Sequence, residues 1–239
     1  MTTWVFPLAG QSNMVSRADA DGSAPWPGAV RFMTAEGLVA PSDEIAAPEG
    51  NGGPVLIAKC FAADFLAAHP GDAIVFVAGA VGGTSFWNHR WNPGDDLYDA
   101  LVSLTRQALA AHPDWQLRAL LFQGFETDAS NAMLPTTFRR AIDRFVRAIR
   151  ADLGAGLPIV FGELPPGFVG DDPVRAAIRN EVRLAAERWP GIAVVSSREP
   201  TPAEDDGLHY STAGLVALGH RYAAGLAAAE ATAGTEAGV

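Results

Sequence analysis

Short apolar runs alternate with longer segments whose apolar residues recur every three or four positions. The runs lie at 4–8, 73–77, 117–122, 157–161 and 192–196, and Arg118 is the one charged residue among them. Uninterrupted apolar runs of this length predict strands buried on both faces, as in a parallel sheet. Helices are predicted between and after them, at 55–68, 95–111, 136–152, 173–188 and 211–229. The first sets Ile57, Phe61, Phe65 and Leu66 on one face; the third sets Phe138, Ile142, Phe145 and Ile149 on a stripe with arginines opposite, read as a solvated face. Pro54 suits a first helical position, and Asp95 or Asp96 suits a cap. His69-Pro70 and His112-Pro113 both follow Ala-Ala at a predicted helix end, which reads as a repeated helix-to-strand joint. Strand and helix alternating five times predicts an α/β fold, a three-layer α/β/α sandwich around a five-stranded parallel sheet. One domain over 1–230 accounts for the pattern, with an Ala/Gly/Thr tail at 231–239 expected to fray. The stretch 19–53 is dominated by turn residues, apart from a candidate strand at 29–33. A loop of that length inside a compact domain either binds something or hides an element.

Ligands of open α/β sheets bind beyond the carboxyl ends of the strands. Four polar or glycine-rich motifs fall there. Gly10-Gln11-Ser12-Asn13-Met14 follows the first strand, and Gly82-Gly83-Thr84-Ser85 the second. Gln123-Gly124-Phe125-Glu126-Thr127-Asp128 follows the third, and Asp206-Gly207-Leu208-His209 the fifth. Gly10 permits the tight turn that ends a strand. Ser12 behind it is either a helix cap or a nucleophile, and only a base within hydrogen-bond reach makes it the second. An Asp three residues before a His can bond one ring nitrogen while the other faces outward, so Asp206 and His209 form the candidate orienter and base. Gly82-Gly83 lets backbone approach a ligand and aim an N–H at it. His220 lies mid-helix and reads as structural, His89 is a poorer base, and Asp205 is wrongly spaced for the orienting role.

These four motifs, in this order and spanning nearly the whole chain, resemble the SGNH hydrolases. The resemblance is closer to their sialate O-acetylesterase-like branch, which includes carbohydrate esterase family six. It implies a flavodoxin-like sandwich and a serine esterase that removes acetyl groups from O-acetylated carbohydrate through an acyl-enzyme. Ser12, Asp206 and His209 would be catalytic, and the backbone N–H groups of Ser12 and Gly83 would stabilise the oxyanion. The branch carries a Gln-Gly-Glu block where the wider superfamily uses an Asn donor, so Gln123 is expected to supply an amide to the oxyanion hole. Here Phe125 stands between Gly124 and Glu126 like a one-residue insertion. Either Gln123 keeps its place and Glu126 is displaced, or the reverse. Gln11, Gly82, Thr84, Trp87 and Glu126 are candidate substrate contacts. Trp26, Trp91 and Phe168 are further aromatics predicted at the active edge, to stack on sugar or simply to pack the loops, and Ser85 and Arg90 are weaker candidates for substrate hydroxyls. Alternatives are a broad short-chain or lipolytic esterase, and a carbohydrate-binding protein whose catalysis has decayed.

Composition narrows the partners. Acidic residues outnumber basic ones 27 to 17, for a net charge of −10, and no basic cluster exists to hold nucleic acid or an anionic membrane. The longest apolar run, 73–83, is about half of the ~20 residues a membrane helix needs. A small-molecule or oligosaccharide ester is the expected partner; oligomeric state is open. Neither a phosphate-binding fingerprint nor a metal-ligand spacing occurs, so no cofactor or metal is expected. The Gly-x-Ser-x-Gly elbow is absent around Ser12. The lone cysteine, Cys60, falls in an apolar helical pattern and reads as a core thiol. Without a basic and apolar leader segment, the expected location is cytoplasmic.

Overall fold

The computed structural model describes residues 1–15, 25–41, 55–197 and 207–233. Among the described residues eight strands form one sheet. They are β1 (Thr3–Gly10), β2 (Val30–Thr34), β3 (Gly37–Val39), β4 (Ala73–Ala78), β5 (Trp115–Leu117), β6 (Leu120–Gln123), β7 (Ile159–Gly162) and β8 (Ile192–Val195). The spatial order is β3-β2-β4-β1-β6-β7-β8, with β5 also paired to β1. All pairings are parallel except the β2–β3 hairpin. The five predicted strands therefore lie in the order second-first-third-fourth-fifth, as in flavodoxin-like sheets.

Side chains alternate across the strands and feed two separate cores. Phe6, Leu8, Ile74, Phe76, Leu121 and Val160 pack with α2 (Leu56–Ala68) and α8 (Thr212–Ala233). Val5, Ala9, Val75, Val77, Leu120, Phe122, Ile159 and Phe161 face the other way. They pack with α3 (Asp96–Ala111), α5 (Pro135–Leu153) and α7 (Pro173–Arg188). This is the predicted three-layer sandwich. Among the described residues no helix is long and apolar enough to cross a membrane.

The third predicted strand is not continuous. Val5 pairs with Leu117 and Leu8 with Leu121, so Phe6 and Pro7 face three residues, Arg118, Ala119 and Leu120. That is a bulge, and it sits opposite the one β1 residue that has no N–H to donate. The candidate strand at 29–33 is real, as β2; its partner β3 was not predicted, being only three residues at the sheet edge. Three single-turn helices also escape the periodicity: α1 (Ser12–Val15), α4 (Glu126–Ser130) and α6 (Pro166–Val169). Pro54 and most of 19–53 lie outside the described residues, as do 234–239; α8 extends past the predicted end to Ala233.

Both histidine joints form as read. His69 and His112 follow their helices, donate their backbone N–H back to the last turn, and stack on Phe65 and Trp115. Asp95 precedes α3, but its carboxylate accepts from Asn92 instead of a helix N–H. Cys60 is half-buried, and burial pushes its thiol up.

Two glycines set how closely the layers meet at the carboxyl edge. Gly10 has φ +112°, and a Cβ there would lie 1.9 Å from the Gln123 carbonyl oxygen. At Gly162 a Cβ would lie 1.7 Å from Gln123 Oε1 and 2.5 Å from the Tyr222 hydroxyl. Gly10→Ala combines a positive-φ penalty with a backbone clash. It should lower the unfolding free energy by about 3 kcal/mol or more, read from the urea midpoint at unchanged m-value.

Candidate active site

Ser12 sits where β1 ends and α1 begins. The Gln11 N–H donates to the Gln123 carbonyl at 2.8 Å, fastening the turn to the neighbouring strand. Met14 is fully buried behind it and anchors α1 in the core with Leu8 and Phe32. The Ser12 side chain is left at the edge of the sheet, where the residue is 6% exposed. Its N–H opens the helix, so it has no intrahelical acceptor.

His209 reaches the same point from the other end of the chain. Its Nε2 lies 3.0 Å from Ser12 Oγ, within hydrogen-bond reach for proton transfer. Asp206 and Asp205 lie outside the described residues. Two neighbours of these residues, neither singled out from the sequence, hold the segment that carries His209. Asn13 Nδ2 donates to the Leu208 carbonyl at 3.1 Å, and Asn13 Oδ1 accepts the Tyr210 N–H at 3.1 Å. The buried Tyr210 hydroxyl donates to the Glu163 carbonyl at 3.0 Å. The sequence offered a signal for both: each adjoins a candidate catalytic residue, Asn13 inside the first motif and Tyr210 directly after the last.

The third motif needs correction. Gln123 does not present its amide to the site. Its side chain is fully buried beneath it: Nε2 donates to the Glu163 carbonyl at 3.2 Å, and Oε1 lies 3.0 Å from the Tyr222 hydroxyl. Phe125 absorbs the extra residue by taking a left-handed backbone, φ +86°. Its ring then turns into the core and stacks on Phe122 at 4.7 Å. A phenylalanine at positive φ is strained, and the packing of that ring offsets the strain. This turn brings Glu126 under the nucleophile, where Oε1 accepts from Asn13 Nδ2 at 2.7 Å. Glu126 is 1% exposed, so it supports the site and does not line it.

Glu126 and Asp128 are buried carboxyls. Burial raises Glu126, with Asn13 working against it. Burial likewise pushes Asp128 up to about 7, although the Trp87 N–H, donating to Asp128 Oδ1 at 2.9 Å, favours its charged form.

The remaining candidates divide. Gly82 lies beside the nucleophile: a Cβ there would be 3.8 Å from that of Ser12. Gly83 is exposed at φ +74°, and Asn88 Nδ2 holds its carbonyl at 2.9 Å. Gln11 is buried and its Oε1 accepts the Thr127 N–H at 3.3 Å. Thr84 is a framework residue, its hydroxyl 2.7 Å from the Val81 carbonyl and accepting from Trp91 Nε1 at 2.8 Å. Trp91 and Phe168 are core residues, and Trp26 packs edge-on against Phe32. Ser85 bonds Asn88, Arg90 pairs with Asp96, and His220 bonds Asp64. Trp87 alone of these aromatics is well exposed, at 49%.

Known structures share this architecture. The crystal structure of NanS aligns with 95% of this chain and 97% of its own, at 17% identity and TM-score 0.76. A carbohydrate acetylesterase from Xanthomonas citri aligns over 97% of this chain and 57% of its own, at 19% identity and TM-score 0.66. A member of the lipolytic G-D-S-L family from Veillonella parvula aligns over 92% and 96%, at 8% identity and TM-score 0.50. At identities this low the likeness shows a shared fold alone, of the SGNH type. No curated protein sequence matches the chain. Residues 2–228 match the family described as carbohydrate esterase, sialic acid-specific acetylesterase, and the chain belongs to that family.

Proposed function

We propose that this carbohydrate esterase removes acetyl groups from O-acetylated sugar, of the sialic acid type, through an acyl-enzyme on Ser12. The observation that carries the reading is the 3.0 Å contact between Ser12 Oγ and His209 Nε2 at the carboxyl edge of the sheet. His209 takes the Ser12 proton as Oγ attacks the acetyl carbonyl, and returns it to the departing sugar hydroxyl. Water, deprotonated by His209, then attacks the acetyl-serine; the acyl–Oγ bond breaks, acetate leaves, and His209 returns the proton to Ser12 Oγ. We assign the orienting carboxylate to Asp206 on its spacing from His209. The oxyanion is assigned to the backbone N–H groups of Ser12 and Gly83, which belong to neighbouring turns. A decayed binding protein would have no reason to keep the serine and histidine in contact.

Acetate release from O-acetylated sialic acid tests the reading, alongside nitrophenol release from acetyl and long-chain acyl esters. The acetyl substrates should be preferred, and Ser12→Ala should abolish nearly all turnover while the protein stays folded. Undiminished hydrolysis by folded Ser12→Ala would sink the mechanism.

The buried amide of Gln123 leads to a different expectation from that of an oxyanion donor. Gln123→Ala should lower stability by about 1–3 kcal/mol, because buried partners are left unpaired. Its kcat should fall far less than the ~10²–10³-fold typical of a lost oxyanion donor. A full loss of that size at unchanged stability would restore Gln123 to the hole.

We assign Trp87, exposed in the loop that follows Gly82-Gly83, to the sugar. A stacking contact of about 0.5–1.5 kcal/mol corresponds to roughly a two- to tenfold change in affinity. Trp87→Ala should raise KM for the acetylated sugar by that factor and leave the KM for 4-nitrophenyl acetate alone. Equal effects on both substrates would assign Trp87 to loop structure.

A further inference from the structure

The Ser12–His209 contact joins two segments 197 residues apart in sequence. His209 belongs to no helix or ladder; residues 207–209 form a bend ahead of α8. Proton transfer needs such a pair held within about 0.5 Å of its working geometry, so a device must fix the bend against α1.

Asn13, the residue after the nucleophile, has the contacts for this. An Asn amide has two N–H donors and an acceptor oxygen, and each finds a partner here. Nδ2 serves Glu126 Oε1 at 2.7 Å and the Leu208 carbonyl at 3.1 Å; Oδ1 takes the Tyr210 N–H at 3.1 Å. The two backbone groups it holds lie on either side of His209. Glu126 decides which way the amide faces. Turned over, Asn13 would set its oxygen against a carboxyl and a carbonyl, and its NH₂ against an N–H. Asn13 is 1% exposed and Glu126 is 1% exposed, so water does not replace a lost contact cheaply.

We propose that Asn13, its amide oriented by the buried Glu126 carboxyl, is the positioning residue of His209. This rests on the esterase reading above. The clamp reaches the base through its backbone, on either side of the imidazole that meets Ser12. A misplacement of about 1 Å can cost up to ~10² in rate. Asn13→Ala should therefore lower kcat by roughly 10–10²-fold with KM little changed, because substrate contacts are untouched. Asn13→Asp should do the same, because it brings a carboxylate oxygen up to Glu126 and Leu208.

A double-mutant cycle with His209→Ala, on 4-nitrophenyl acetate, separates positioning from general support. If Asn13 acts through His209, its substitution lowers turnover only while His209 is present. The same fold-loss in both backgrounds overturns the clamp but spares the esterase reading. Full turnover by His209→Ala alone overturns both. Glu126 gives a second route should Asn13→Ala fold poorly: Glu126→Ala should lower kcat in the His209 background alone, and Glu126→Gln, which keeps an acceptor for Asn13, should recover most of it. Equal losses for Ala and Gln count against the proposal. Imidazole proton NMR adds a reading free of turnover. The chain has five histidines, and the His209 line is the one missing from His209→Ala. In Asn13→Ala it should shift or broaden while the lines of His69, His89, His112 and His220 stay. An unmoved His209 line overturns the proposal.

Discussion

The carboxyl end of β1 is pressed directly against β6, and the site depends on that contact. Only a glycine fits at position 10, because its φ is +112° and the Gln123 carbonyl occupies the space of any Cβ. The same carbonyl accepts the Gln11 N–H at 2.8 Å. One backbone oxygen thus ends the strand, starts the turn, and fixes Ser12 relative to the third motif. The bulge opposite Pro7 belongs to the same pair of strands. It shifts β6 by one residue against β1 and so sets which residue of the third motif meets Gly10.

Below that contact lies a buried polar layer. Tyr222 stands between the Phe122 carbonyl and Gln123 Oε1, Gln123 Nε2 reaches Glu163, and Tyr210 reaches the Glu163 carbonyl. Buried groups of this kind are expensive unless paired, and paired they specify one arrangement. Burial alone would raise the Glu163 carboxyl, but Arg183 and Ser197 outweigh it and hold it below its ordinary value. The layer ties α8, β6, β7 and the His209 segment into one unit. It explains why a glutamine inside an apparent active-site motif is a framework residue.

The differences between sequence reading and structure have physical causes. Apolar periodicity reports burial on a face, and it found every long element. It is silent on single turns such as α4, whose Glu126 and Asp128 are buried despite carrying carboxyl groups. It also cannot see the direction of a side chain after a left-handed residue. Phe125 looked like an insertion that would displace either Gln123 or Glu126; its positive φ sends Glu126 toward Asn13 and leaves Gln123 in the strand. Trp91 and Thr84 sit in the right loop for substrate, yet they bond each other inside the core.

What the sequence determined by itself was the alternation of buried strands and amphipathic helices, and hence the layer order. It also placed Ser12 and His209 at one edge, because strand ends of a parallel sheet all emerge on the same side. Those are consequences of local pattern and chain direction. Tertiary structure alone decided which polar side chains reach that edge and which are drawn beneath it. That choice depends on registers, a bulge and a positive-φ residue that shift atoms by one position. Asn13 against the backbone on both sides of His209 is such a contact between segments almost two hundred residues apart, and no local pattern encodes it.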